Sequence, residues 1–66
     1  MQLAVNGERR EIKSAATLID LIALLDLHGK RLAVERNGEI VPRSQYAQTP
    51  LAEDDRIEIV QAIGGG

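Results

Sequence analysis

Three consecutive glycines, Gly64, Gly65 and Gly66, end the sequence and stand out as the residues most suited to a chemical role. Glycine is costly to order and adds no side chain to a core, so packing does not explain such a run. Three extended residues reach about 10 Å, and without a Cβ they fit a channel too narrow for other residues. The run therefore predicts a tether that carries the terminal carboxylate into a partner's active site.

An α-carboxyl group has a pKa of about 3.3 to 3.7 in model peptides, so at neutral pH it is ionised and a poor electrophile. Joining the carboxyl group of Gly66 to AMP would give a mixed anhydride, from which a sulfur nucleophile could form a thiocarboxylate. On this hypothesis Gly66 is the modified residue, and Gly64 and Gly65 are required for threading. The alternative is a solvated chain end without a function.

Other residue types that can do chemistry are isolated in the sequence. His28 is the only histidine, and a structural or solvated role is favoured because no cysteine or second histidine completes a site. The acidic run Glu53-Asp54-Asp55 is expected to be a solvated turn, since too few oxygen ligands converge for a calcium site. Ser14, Ser44 and Tyr46 lack an evident base partner. We therefore predict no catalytic residue and no metal site.

Length and composition also argue against an enzyme. The chain has 66 residues, and a domain of this size buries only about 60% of the surface of its unfolded chain. A net charge of -2 and a single aromatic residue disfavour nucleic-acid binding. No apolar run approaches a membrane span, and the absence of cysteine fits a reducing cytoplasm. We expect an unprocessed cytoplasmic carrier or adaptor with native terminal glycines and no bound cofactor, nucleic acid or membrane.

The elements that position the tail begin with a predicted hairpin and a helix. Apolar residues alternate before Asn6-Gly7, a strong signal for a type I′ turn, so a β-hairpin is predicted for residues 1–12. Thr17 is predicted to cap a helix, with Asp20 completing a capping box and Gly29 ending the helix. The predicted buried stripe, which Ile19 and Leu24 broaden, comprises Leu18, Leu21, Ile22 and Leu25.

Further strands are predicted at residues 32–36 and 56–63, with the turn signal Asn37-Gly38 leading from the first into a short return strand. Residues 43–50 are polar and are expected to form an irregular loop, which the aromatic side chain of Tyr46 anchors to the core. The order β-β-α-β-β predicts an α+β fold, in which one helix packs across one face of a mixed sheet. If the first and last strands lie side by side in its centre, they should run parallel.

The last strand also predicts a docking surface. Ile57 and Ile59 should face the helix, so Val60 and Ala62 should lie on the uncovered face of the sheet, next to the tail. An exposed apolar patch at this place is typical of a protein interaction site. Val60 and Ala62 are therefore the candidates for docking an activating enzyme.

Four segments carry a resemblance to a known family: residues 1–7, the helix start Thr17-Leu18, residues 34–43 with Val41-Pro42-Arg43, and the ending Ala62-Ile63-Gly64-Gly65-Gly66. Over essentially its whole length the chain resembles the ThiS family, the ubiquitin-like sulfur carriers of thiamine thiazole biosynthesis. Similar domains usually have a glycine in the turn before the last strand, where this chain has Glu53-Asp54-Asp55. Aspartate tolerates the left-handed backbone region that such a turn requires.

The resemblance implies a β-grasp (ubiquitin-like) domain over residues 1–63 and a flexible tail over residues 64–66. It implies that a ubiquitin-activating-like adenylyltransferase consumes ATP to adenylate Gly66, and that a sulfur-donating protein supplies the thiocarboxylate sulfur. Thiazole synthase would then accept this sulfur. Two alternatives stay open: a sulfur carrier for another pathway, such as molybdopterin synthesis, and a non-covalent β-grasp interaction module with an inert tail.

Overall fold

The computed structural model describes residues 1–61, which contain five strands, one α-helix and one 3₁₀-helix. The α-helix, α1, spans Leu18–Leu24, and the 3₁₀-helix spans Arg43–Gln48. The strands are β1 (Gln2–Val5), β2 (Glu8–Glu11), β3 (Leu32–Arg36), β4 (Glu39–Ile40) and β5 (Arg56–Gln61).

All five strands form one mixed sheet in the order β2-β1-β5-β3-β4. The central strand β5 runs parallel to β1, with Val5 opposite Ile57, and antiparallel to β3, with Val34 opposite Ile59. The predicted parallel pairing of the first and last strands is confirmed. It is possible because the connection between these strands contains the helix and has the length that a crossover needs.

Two type I′ turns close the hairpins. Asn6 and Gly7 have φ angles of 51° and 83°, and Asn37 and Gly38 have φ angles of 52° and 88°. Both central residues of a type I′ turn need positive φ, and its twist matches that of the flanking strands. Both predicted hairpins, β1–β2 and β3–β4, are therefore confirmed.

The core lies on one face of the sheet, between the strands and α1. Burial of each large apolar side chain contributes roughly 1.5 to 3 kcal/mol. The largest fully buried side chains are Leu3, Leu18, Leu21, Ile22, Val34 and Ile57. No helix within residues 1–61 covers the opposite face of the sheet.

The helix begins as predicted. Thr17 Oγ1 accepts a hydrogen bond from the backbone N–H of Asp20 at 3.4 Å, and the Asp20 carboxylate accepts one from the backbone N–H of Thr17 at 3.1 Å. These two bonds form the predicted capping box and satisfy donors that the first helical turn leaves without partners. The Asp20 carboxylate also accepts a hydrogen bond from the backbone N–H of Ala16 at 3.1 Å, and the Ala16 and Thr17 N–H groups together lower the pKa of Asp20.

The end of the helix was predicted wrongly. The helix ends at Leu24 rather than at Gly29, because Asp26 adopts a φ of 61° and breaks the helical backbone. Aspartate reaches this region more readily than most residues. Leu24 is consequently 52% exposed and does not belong to the buried stripe, whereas Leu25 is half-buried. His28 lies beyond the helix.

The segment after β4 is more regular than predicted. Instead of an irregular loop, Arg43–Gln48 form a 3₁₀-helix that follows the extended Pro42. Its Tyr46 side chain is buried in the core, as predicted, and this burial draws the segment against α1. In the last strand the described residues end at Gln61, so the predicted strand residues 62–63 lie outside them.

Candidate functional site

The tail glycines Gly64, Gly65 and Gly66 lie outside the described residues, so the site is represented by the strand that leads to them. That strand, β5, is held between β1 and β3 in the centre of the sheet. Its last described residue, Gln61, lies opposite Leu32 of β3. A central strand has neighbours on both edges, so β5 is a firmly held strand.

A side-chain bridge extends this support beyond the end of β1. Where β1 gives way to its turn, Asn6 Nδ2 donates to the carbonyl oxygen of Ile59 at 3.1 Å, and the N–H of Ile59 donates to Asn6 Oδ1 at 2.7 Å. The side-chain amide of Asn6 thus bonds the backbone of β5 beyond the last residue of β1, because it carries both a donor and an acceptor. From the sequence, Asn6 was predicted only as a turn residue. Aspartate also suits this turn position but has no amide donor, so the presence of asparagine was the one hint of the bridge.

The uncovered face carries an apolar patch near the end of β5. Val60 is 64% exposed and lies directly opposite Ala33, and Ile40 on the neighbouring hairpin strand is 78% exposed. The predicted exposure of Val60 is confirmed, whereas Ala62 lies outside the described residues. Next to the patch, Glu35 and Glu58 lie directly opposite each other, a like-charge pair that is unfavourable in the free protein. We call the surface formed by Ala33, Ile40 and Val60 the open-face patch.

In the acidic turn before β5, Glu53 and Asp54 are exposed as predicted, whereas Asp55 has a structural role. Asp55 is only 5% exposed, so the predicted solvated position is wrong for this residue. Its carboxylate accepts hydrogen bonds from Arg36 Nε, Asn37 Nδ2 and the backbone N–H of Ala52, each at 2.9 Å. Burial alone raises the pKa of Asp55, but the bonds from Asn37, Arg36 and Ala52 outweigh it and leave the pKa below its ordinary value. Asp54 has a φ of 67°, as expected for aspartate in place of glycine.

The remaining candidate residues do not assemble a catalytic site. Tyr46 is buried in the core, and His28, Ser14 and Ser44 are exposed at separate places. Within residues 1–61 no group of three or more potential ligands comes together to hold a metal ion. The helix found in this part of the chain has 7 residues and is too short to cross a membrane. The described part of the chain therefore offers a scaffold and surfaces for interaction.

Comparison with known proteins identifies the family. A sequence model of the ThiS family matches residues 3–66. The chain belongs to the ThiS family. It is 43% identical over 54 residues to the sulfur carrier protein ThiS of Bacillus subtilis, with 82% of each chain covered. It is 46% identical over 66 residues to a thiazole synthase of Paramagnetospirillum magneticum. The matched region covers 100% of this chain and 20% of that protein. The chain thus spans only about a fifth of the length of this thiazole synthase.

A solved structure supports the same assignment. The crystal structure of the thiamine biosynthesis protein ThiS from Geobacter metallireducens matches with a TM-score of 0.84 and 29% sequence identity, and 100% of each chain is covered. The predicted β-grasp fold and the resemblance to the ThiS family are both confirmed.

Proposed function

We propose that this protein is a non-enzymatic sulfur carrier that acts through the carboxyl group of Gly66 and serves the formation of the thiamine thiazole. The observation that carries the proposal is its membership of the ThiS family over residues 3–66, which include the terminal glycines. The relative from Bacillus subtilis is named a sulfur carrier protein, and the relative from Paramagnetospirillum magneticum a thiazole synthase. These names supply the class of function and the pathway.

The proposed chemistry starts with attack of the Gly66 carboxylate on the α-phosphorus of ATP in a ubiquitin-activating-like adenylyltransferase. Pyrophosphate leaves, and an acyl adenylate forms. Sulfide released by a sulfur-donating protein then attacks the acyl carbon and displaces AMP, which leaves the thiocarboxylate on Gly66. Gly64 and Gly65 let the chain end pass through a narrow channel, because they have no side chains. Thiazole synthase accepts the sulfur, and we place these steps in the cytoplasm, where ATP is available.

We propose the open-face patch as the docking surface for the adenylyltransferase, because it lies beside the end of β5. A partner would cover Val60 and Ile40, which are largely exposed, and a cation on it would offset the repulsion between Glu35 and Glu58. Ala62, two residues beyond Val60 in the sequence, extends the proposed surface towards the tail.

The substitution Val60→Asp tests this surface. It places a charge in the proposed interface, and we expect the initial rate of loading to fall by about tenfold or more. Leu24→Asp is the matched control, because Leu24 is 52% exposed but lies on the helix, on the other side of the sheet. Equal loading rates for the two variants, both folded by circular dichroism, would show that the adenylyltransferase docks elsewhere.

The carrier chemistry itself is tested by the intact mass of the protein. The full-length chain is incubated with the cognate adenylyltransferase, ATP and a sulfur source, beside a variant that lacks Gly66. We expect replacement of one oxygen by sulfur only in the full-length chain. If the mass does not change, while the adenylyltransferase is active on another carrier, the chain is instead a non-covalent interaction module.

The pathway is tested separately with the loaded protein. We offer the thiocarboxylate form to thiazole synthase and, in parallel, to molybdopterin synthase that has been stripped of its own carrier. Sulfur transfer with thiazole synthase alone supports the proposed pathway. Transfer only in the molybdopterin reaction would retain the carrier chemistry and reassign the pathway.

A further inference from the structure

A cavity of about 170 Å³ lies on the helix-covered side of the sheet, between the end of α1, the start of β3 and the 3₁₀-helix. Much of its wall is apolar and includes Ile22, Leu27, Leu32 and Tyr46. A cavity of about 150 Å³ in another protein holds a benzene molecule, so this space fits one side chain of leucine or phenylalanine size.

Two cationic side chains, those of Lys30 and Arg43, line the cavity. His28 lines it as well, and all three residues are exposed. The ion pairs found within residues 1–61 use the N-terminal amino group, Arg9, Arg10 and Arg36 as cations, so Lys30 and Arg43 have no carboxylate partner in this part of the chain. In a protein of net charge -2, this local excess of positive charge favours an acidic partner.

The cavity lies at the end of the sheet from which the tail continues. Leu32, which lines it, is directly opposite Gln61, the last described residue of β5. Because neighbouring strands are about 5 Å apart, a protein that receives the tail must come close to the cavity opening. Val60 points to the other face of the sheet, so the cavity and the open-face patch are separate surfaces.

We infer that this cavity docks thiazole synthase through an acidic surface segment of that enzyme. One leucine- or phenylalanine-sized side chain of the segment enters the cavity, and flanking carboxylates face Lys30 and Arg43. The choice of occupant rests on the proposed function, in which thiazole synthase receives the loaded tail. It is supported by the relative from Paramagnetospirillum magneticum, in which a region similar to this chain forms 20% of a protein named thiazole synthase.

Methyl spectroscopy tests the apolar half of this inference. The carrier is labelled at isoleucine, leucine and valine methyl groups and titrated with unlabelled cognate thiazole synthase. We expect the largest changes at Leu27 and Leu32, which line the cavity, and small changes at Ile40 and Val60 on the other face. Changes confined to Ile40 and Val60, or no binding at all, would overturn the inference.

Charge reversal tests the polar half. We expect Lys30→Glu combined with Arg43→Glu to weaken binding to thiazole synthase by about tenfold or more and to reduce its dependence on salt. The matched control combines Arg10→Glu with Lys13→Glu. This double substitution changes the net charge by the same amount, but it lies near β2, at the opposite edge of the sheet. Equal affinities for the two double variants, with unchanged thermal unfolding, would contradict the role of Lys30 and Arg43.

The two proposals are separated by measuring loading on the same samples. The Lys30/Arg43 variant should still acquire the thiocarboxylate, because its substitutions lie away from the open-face patch. If the wild type is loaded but its cavity does not respond to thiazole synthase, only the docking inference fails. If the wild type is never loaded by an active adenylyltransferase, the proposed function fails.

Discussion

Replacing Asp55 with alanine should destabilise the protein far more than its position in an acidic turn suggests. The substitution removes the acceptor of three hydrogen bonds of 2.9 Å, from Arg36, Asn37 and Ala52. A hydrogen bond to a charged group is worth about 1.5 to 3 kcal/mol, but after the substitution the side chains of Arg36 and Asn37 can regain water. The backbone N–H of Ala52 loses its partner beside a new gap. We therefore expect the free energy of unfolding to fall by about 2 to 4 kcal/mol.

Urea unfolding at neutral pH, followed by circular dichroism, measures this loss. The control is Asp54→Asn, because asparagine also tolerates the φ of 67° that Asp54 adopts. Asp54 is exposed and forms a surface ion pair with Arg9 at 3.1 Å, an interaction worth about 0 to 1 kcal/mol. A loss below about 1 kcal/mol in Asp55→Ala, or one equal to the control, would refute the structural role assigned to Asp55.

The stabilisation by Asp55 should also depend on pH. The pKa of Asp55 is lower in the folded protein than its ordinary value of 3.8, so the unfolded chain binds the proton first on acidification. The contribution is therefore present above pH 3.8 and is lost as the pH falls through the folded-state pKa. The difference in unfolding free energy between the wild type and Asp55→Ala should shrink between neutral pH and about pH 3. A constant difference would show that the charge of Asp55 is not involved.

Three further substitutions test the fold around the site. Leu21→Ala should cost about 2 to 5 kcal/mol of unfolding free energy in a urea titration, whereas Leu24→Ala should cost little, and equal effects would contradict the observed end of the buried stripe. Asn6→Asp keeps the turn but loses the amide donor to β5, so it should cost about 1 to 3 kcal/mol and speed amide exchange at the end of β5; unchanged exchange would argue against the bridge. Glu58→Gln should raise the unfolding free energy by about 0.3 kcal/mol by relieving repulsion from Glu35, and a loss of stability would contradict that repulsion.

Local signals predicted most of the fold correctly. The two Asn-Gly turns specify their own backbone angles, and the capping box between Thr17 and Asp20 spans three residues. The alternation of Ile57 and Ile59 with outward-facing residues follows from the pleat of a strand and was confirmed by their burial. Such features are predictable because the interacting groups are close in sequence.

Two predictions failed because residue preferences alone did not decide where an element ends or forms. Gly29 is a good helix end by residue type, yet the helix stops earlier because Asp26 takes a positive φ and the chain turns towards β3. The 3₁₀-helix of Arg43–Gln48 was missed for a related reason, since its polar composition resembles a loop and only the burial of Tyr46 draws it against the core. Packing against distant residues decides such boundaries, and residue preferences do not contain that information.

By itself, the sequence determined the two hairpin turns, the start of the helix, the covered face of the sheet and the terminal glycines on which the proposed chemistry depends. The tertiary structure decided the roles of Asp55 and Asn6, because their partners are far away along the chain. Asn37 and Arg36 lie 18 and 19 residues from Asp55, and Ile59 lies 53 residues from Asn6. The tertiary structure also created the cavity near Gln61. Its wall comes from three separate segments that meet only when the helix packs on the sheet.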